Sequence, residues 1–309
     1  MIEAIADGVR KGERGAVARA LNLVEDRRAE SRPLIESLIG MLGGGRPEGH
    51  RVGLTGPPGA GKSTLAGVLA GSLRKSGHTV GVLAVDPSSR RSGGALLGDR
   101  VRIETRPEDH GLFVRSLATA GELGGLARSA PAAVMVLAAA FDRVLVETVG
   151  VGQSETEIEH VVDTVVFVVQ PGSGDALQFL KAGIMEIPDV IAVNKSDLGE
   201  AALRARGELS SVLGSARTAG IVAGAGPEVV MVSATRNEGI DGLVAAIERH
   251  RTSQRASGAL AERRLQGQVE WGLRALARRV GDEGIEREGG LAAVRERLAA
   301  RGRKGDGRS

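Results

Sequence analysis

The chain has 309 residues, with 41 Lys+Arg against 38 Asp+Glu, no cysteine and 2% aromatic residues. That length suits one large α/β domain with appended helices, or at most two domains. Lack of cysteine excludes disulfides and thiolate metal sites, scarcity of rings argues against single-stranded nucleic acid, and no apolar run approaches the ~18 residues of a membrane span.

Residues 1–48 are expected to form an N-terminal helical extension. Ile5, Val9, Val17, Leu21 and Val24, then Leu34, Leu38 and Met41, recur at helical spacing, with a break at Ser31-Arg32-Pro33. Gly43-Gly44-Gly45 and Pro47 close it. The start, Met1-Ile2-Glu3-Ala4, lacks the basic-then-apolar pattern of a secretory leader, so a cytoplasmic location is expected. Residues 49–250 alternate short β-branched runs with helical stretches, the pattern of an α/β fold whose mostly parallel sheet carries helices on both faces. Strands are expected at 51–55, 79–85, 143–147, 164–169, 189–193 and 228–232. Runs such as Val165-Val-Phe-Val-Val169 are continuously apolar, as buried parallel strands should be. Residues 251–300 return to charged helix, where Leu265, Val269, Leu273, Leu276 and Val280 make one apolar stripe. That stripe either covers the α/β domain or forms a dimer seam. Residues 301–309 read as a disordered basic tail.

Between the first strand and the helix after it lies Gly56-Pro57-Pro58-Gly59-Ala60-Gly61-Lys62-Ser63-Thr64, a complete G-x-x-x-x-G-K-[ST] phosphate-binding loop. Its glycines let backbone N–H groups turn inward around a triphosphate, and the following helix points its positive end at the same anion. Lys62 is expected on the β- and γ-phosphates and Ser63 on Mg²⁺. Asn194-Lys195-Ser196-Asp197 follows another expected strand. A carboxylate there accepts from both guanine N1–H and its exocyclic amine, whereas adenine leaves it unpaired, a loss of ~1–3 kcal/mol or more. Ser233-Ala234, after the next strand, suits a backbone loop on the other side of the base. The nucleotide is therefore read as GTP or GDP, with ATP the alternative.

Acids at strand ends are candidates for Mg²⁺: Asp86 after the second expected strand and Glu147 after the third, with Asp99 in the glycine-rich segment Ser92–Asp99, which reads as a switch. Gly150 can give its amide to the γ-phosphate. Gln153 is the candidate for placing the attacking water, beside Lys62 and Glu147 as catalytic residues. The five histidines show no i, i+3 or i, i+4 pairing, so a dedicated zinc or nickel site is not expected.

This series, with Asp86-Pro-Ser-Ser89, Leu97-Gly-Asp99, Glu147-Thr-Val-Gly-Val-Gly-Gln-Ser-Glu155, Pro171-Gly-Ser-Gly-Asp-Ala-Leu-Gln178 and Lys181-Ala-Gly-Ile-Met-Glu186, resembles the MeaB/ArgK family of SIMIBI-type P-loop GTPases. The resemblance covers about residues 1–250 in motif. It implies a GTPase chaperone for an adenosylcobalamin-dependent acyl-CoA mutase, chiefly methylmalonyl-CoA mutase, that protects the mutase and gates its cofactor. It implies a homodimer joined through the C-terminal helical arm, and a partner-sensing switch over 171–187 containing Lys181. Thr119-Ala120-Gly121-Glu122 departs from the family pattern, where many relatives carry a basic residue and a histidine. Alternatives are an ATPase or kinase of amino-acid transport, a metal-insertion GTPase, which zero cysteines disfavours, and a binding module that does not hydrolyse GTP.

Overall fold

The computed structural model describes residues 1–43, 45–46, 48–86, 109–118, 126–148, 157–172, 188–220 and 226–306. Among the described residues, seven parallel strands form one sheet: β1 (His50–Thr55), β2 (Val80–Asp86), β3 (Leu112–Ala118), β4 (Arg143–Glu147), β5 (Thr164–Val169), β6 (Val190–Val193) and β7 (Glu228–Met231). Their spatial order is β3-β2-β4-β1-β5-β6-β7, which puts β1 at the centre. In register, Leu54 of β1 faces Glu147 on one side and Val166 on the other.

Three helices precede the sheet: α1 (Ile2–Arg10), α2 (Arg14–Glu25) and α3 (Arg32–Leu42). Six strands lie where apolar runs predict them; β3 does not. Arg115 and Ser116 break its apolar run, which an edge strand tolerates because it need not be buried all round. Arg115 ion-pairs with Glu25 of α2 at 2.6 Å.

Alternation along the strands divides the core into two faces. Val52, Leu54, Val166 and Val168 pack against α4 (Lys62–Lys75) and α7 (Ile240–Ala256). Phe167, Val169, Ile191 and Val193 pack instead on Leu209 and Leu213 of α6 (Glu200–Thr218). On that second face α5 (Ala130–Ala140) lies over β2 and β4, with α1–α3 stacked behind it. Val9, Val17, Leu21 and Leu38 are fully buried there. At about 1.5–3 kcal/mol for each such side chain, the N-terminal helices are part of the domain core.

Two C-terminal helices complete the chain, α8 (Ala259–Arg287) and α9 (Gly290–Asp306). Arg264 of α8 closes on the buried Asp163 at 2.7 Å, Arg263 pairs with Asp189 at 2.9 Å, and Gly267 lies so near the His160 carbonyl that a Cβ would come within 2.1 Å. Helix α8 breaks at Gly281, and Ile285, Val294 and Leu298 then pack against Leu273, Leu276 and Val280. Part of the expected apolar stripe is thus used within the chain. Two expected boundaries need correction. The division at residue 250 falls inside α7, and α9 continues to Asp306, so 301–306 is helix; Arg301 and Gly302 wall a cleft with Gln268 and Trp271 of α8. No described helix is long and apolar enough to cross a membrane.

Candidate nucleotide-binding site

The segment 56–61 turns from the central strand β1 into α4. Gly56 (φ 138°) lies against β5, where a Cβ would sit 2.1 Å from the Val168 carbonyl oxygen, so no other residue fits that turn. Lys62, at the first turn of α4 and only 7% exposed, donates from Nζ to the carbonyls of Gly56 (2.7 Å) and Pro57 (3.0 Å). Its ammonium is thereby held across the loop by the loop's own oxygens. Ser63 Oγ donates to Glu147 Oε1 at 2.5 Å, which the β1–β4 register makes possible. Thr148 continues from that strand, its N–H on the Leu54 carbonyl (3.1 Å) and its hydroxyl on Thr55 Oγ1 (3.0 Å).

The opposite side of the loop is fixed from β6. Asn194, 2% exposed, donates through Nδ2 to the Ala60 carbonyl (2.8 Å) and accepts through Oδ1 from the Ala234 N–H (3.1 Å). One side chain therefore joins the phosphate loop to the turn after β7. Lys195, in a left-handed conformation (φ 58°), donates to the Gly59 carbonyl at 2.9 Å and to Gln170 Oε1. Asp197 accepts from Ser233 Oγ at 2.5 Å, and this hydrogen bond, more than any other cause, holds its carboxyl below the usual carboxylate range. Ser233 and Glu238 exchange two backbone hydrogen bonds (2.9 and 3.1 Å), closing the turn that carries Ala234.

The structure thus brings Gly56–Thr64, Glu147, Asn194, Lys195, Asp197, Ser233 and Ala234 to one edge of the sheet. Asp86 ends β2 on the same edge, but its side chain lies outside the described residues. So do Asp99, Gly150, Gln153, residues 119–122, and the 171–187 switch from 173 onward with Lys181. Sequence reasoning missed Thr55, Thr148 and Gln170. Each sits at or just beyond the C-terminal end of a strand, the position where α/β sheets collect functional groups, and that signal could have found them. No group of three His, Cys, Asp or Glu side chains capable of holding a metal occurs among the described residues. A serine hydroxyl with a carboxylate behind it suits Mg²⁺, which takes one or two protein oxygens and fills its shell with water and phosphate.

A phosphate loop on the central strand of a parallel sheet, with an Asn-Lys-x-Asp turn two strands away, defines a P-loop GTPase. A family model described as methylmalonyl Co-A mutase-associated GTPase MeaB matches residues 17–287, and the chain belongs to that family. The GTPase ArgK of Escherichia coli is 39% identical over 267 residues, covering 85% of this chain and 80% of that one. The mouse protein named methylmalonic aciduria type A homolog, mitochondrial, is 37% identical over 283 residues, 87% of this chain and 68% of its own. The crystal structure of a LAO/AO transport system kinase superposes with a TM-score of 0.73 at 32% identity, covering 93% of this chain and 87% of that one. The chain is a guanine-nucleotide-binding GTP hydrolase.

Proposed function

We propose that this GTPase is Mg²⁺-dependent and serves an adenosylcobalamin-dependent methylmalonyl-CoA mutase as a chaperone, its nucleotide cycle gating cofactor loading and protecting the mutase. In this reading it works as a homodimer joined through α8 and α9, at residues 251–300. The observation that carries the nucleotide chemistry is the Asn194 bridge, which holds the phosphate loop and the Ser233-Ala234 turn in one frame. The mutase rests on the family description and on the name of the mouse relative.

The residues then take these roles. Backbone N–H groups of 56–64 cradle the phosphates. Lys62 exchanges the Gly56 and Pro57 carbonyls for β- and γ-phosphate oxygens. Ser63 donates its proton to Glu147, so its oxygen keeps lone pairs for the metal, and Glu147 fixes that orientation. Mg²⁺, when held there, would supply charge neutralisation for the transferring phosphoryl group. Asp197 takes the guanine edge, with Lys195 and the Ser233-Ala234 turn around the base. Asp86 and Asp99 serve the metal side, Gly150 the γ-phosphate and Gln153 the water. Turnover in the isolated chain is slow and rises when the mutase docks on 171–187.

The test is GTP hydrolysis by the pure chain with and without methylmalonyl-CoA mutase from the same source, with ATP as control and chelator added in a parallel series. Stimulation by the mutase and loss of activity with chelator support the reading. Slow GTP turnover indifferent to the mutase overturns the partner. Preference for ATP would move the chain toward the kinase activity for which the LAO/AO transport relative is named.

A further inference from the structure

We propose that Gln170 is a positioning residue for guanine recognition. It holds the Lys195 ammonium on the phosphate loop, so that the lysine side chain is fixed across the place of the nucleoside and the Asp197 carboxylate meets the base in one register. The inference rests on the placing of guanine at Asp197 proposed above.

Neighbouring strands bring these groups together. Val169 of β5 lies opposite Val193 of β6, and the Asn194 N–H bonds the Val169 carbonyl at 2.8 Å, so Gln170 and Lys195 leave the sheet side by side. Lys195 Nζ donates to Gln170 Oε1 and, at 2.9 Å, to the Gly59 carbonyl. The Gln170 carboxamide also lies against Gly59, where a Cβ would meet its Nε2 at 3.9 Å. Gln170 therefore touches both the loop and the lysine that reaches it.

Charge explains why an amide suits this position. Both acceptors of the ammonium are uncharged, so Lys195 is held without being neutralised, and its charge stays beside a loop that takes phosphates. A carboxylate in place of Gln170 would grip the lysine harder but set a negative charge against the same anion.

Conformation carries the effect to the base. Lys195 sits in the left-handed region (φ 58°) and caps the short 3₁₀ turn Ser196–Leu198, which carries Asp197. A residue with a Cβ stays in that region only when its surroundings over-determine it. Beyond Lys195, the Ser196 N–H bonds the Val232 carbonyl at 3.0 Å and Ser233 Oγ holds the Asp197 carboxylate at 2.5 Å. Gln170 and Gly59 supply the tether on the near side. A half-buried lysine that runs from the base-side turn to the phosphate loop crosses the interval a nucleoside occupies between its base and its phosphates.

Calorimetric titration of the nucleotide-free full chain with GDP, and with IDP, which lacks the 2-amino group, tests this. Wild type should prefer GDP by about tenfold or more, the worth of a hydrogen bond to a charged acceptor. Gln170→Ala should weaken GDP by about tenfold and lower that preference by roughly threefold or more, whereas a purely structural loss lowers both affinities alike. Gln170→Glu keeps the acceptor, so it should keep the preference while weakening both nucleotides, and it serves where the alanine variant folds poorly. With Lys195→Met already in place, Gln170→Ala should change GDP affinity by less than about twofold. Wild-type preference in folded Gln170→Ala, lost preference in folded Gln170→Glu, or additive losses with Lys195→Met would overturn the proposal. Asp197→Asn separates it from the reading beneath it: the carboxamide donates to the 2-oxo group of xanthine, so preference should pass from GDP to XDP. If Asp197→Asn still prefers GDP, the placing of guanine falls and this proposal with it.

Discussion

Truncating Asn194 to alanine removes two hydrogen bonds at once, because its carboxamide bridges Ala60 and Ala234. The Ala60 carbonyl loses a donor at 2.8 Å and the Ala234 N–H an acceptor at 3.1 Å. Water reaches neither readily, since Asn194 is 2% exposed, Ala60 0% and Ala234 6%. An unsatisfied buried backbone group costs about 1–3 kcal/mol, so the pair amounts to roughly 2–6 kcal/mol. Urea unfolding of the nucleotide-free protein, followed by circular dichroism, should show that loss as a lowered midpoint with an unchanged slope. GDP affinity should fall as well, by about tenfold or more, because the phosphate loop and the base-side turn are no longer held in register. Asn194→Asp should destabilise too: it keeps an acceptor for Ala234 but sets an oxygen against the Ala60 carbonyl. An Asn194→Ala chain within about 0.5 kcal/mol of wild type, with GDP affinity intact, would refute this account of the site.

Lys62→Ala should lower GTP turnover by roughly a hundredfold or more and weaken nucleotide binding while leaving the chain folded, as single-turnover kinetics and a melting curve would check; unchanged turnover in the folded variant would remove Lys62 from the phosphates. His50, buried beside Thr164 (2.8 Å), is pushed by burial from 6.5 down to about 4, so the unfolded chain binds the extra proton between those values. Stability from this group is full above about pH 6.5 and lost as pH falls toward 4, by on the order of 3 kcal/mol, and urea midpoints for His50→Gln should decline less across that window than those of wild type. Burial alone would raise Asp163, but the Arg264 hydrogen bonds hold it down at about 2, so it gives way only below that range and leaves the comparison clear.

The sheet centre is legible because buried parallel strands are uniformly apolar: the expected ranges 51–55, 143–147 and 164–169 coincide closely with β1, β4 and β5. The phosphate loop is legible because its chemistry is contiguous in sequence. Other features depend on partners distant in the chain. Nothing near Arg115 signals that Glu25, 90 residues earlier, will let a polar stretch become β3. Likewise Lys195 is held by Gln170, and Thr148 by Thr55, through pairings that exist only once β1, β4, β5 and β6 lie side by side. The tail departs from its expected disorder because glycine and arginine content argues for a loose end, while the cleft against α8 that Arg301 and Gly302 help to wall is a tertiary feature.

Strand β5 begins next to Asp163, on which Arg264 of α8 closes, and ends at Val169, beyond the Val168 carbonyl that lies against Gly56. Six residues, about 20 Å of extended chain, separate the two ends. Dislodging α8 from its strand means stripping a buried carboxylate of its partner, a cost of about 3–5 kcal/mol. The C-terminal helices are therefore bolted to the strand that floors the phosphate loop, and the two cannot part without breaking that buried pair.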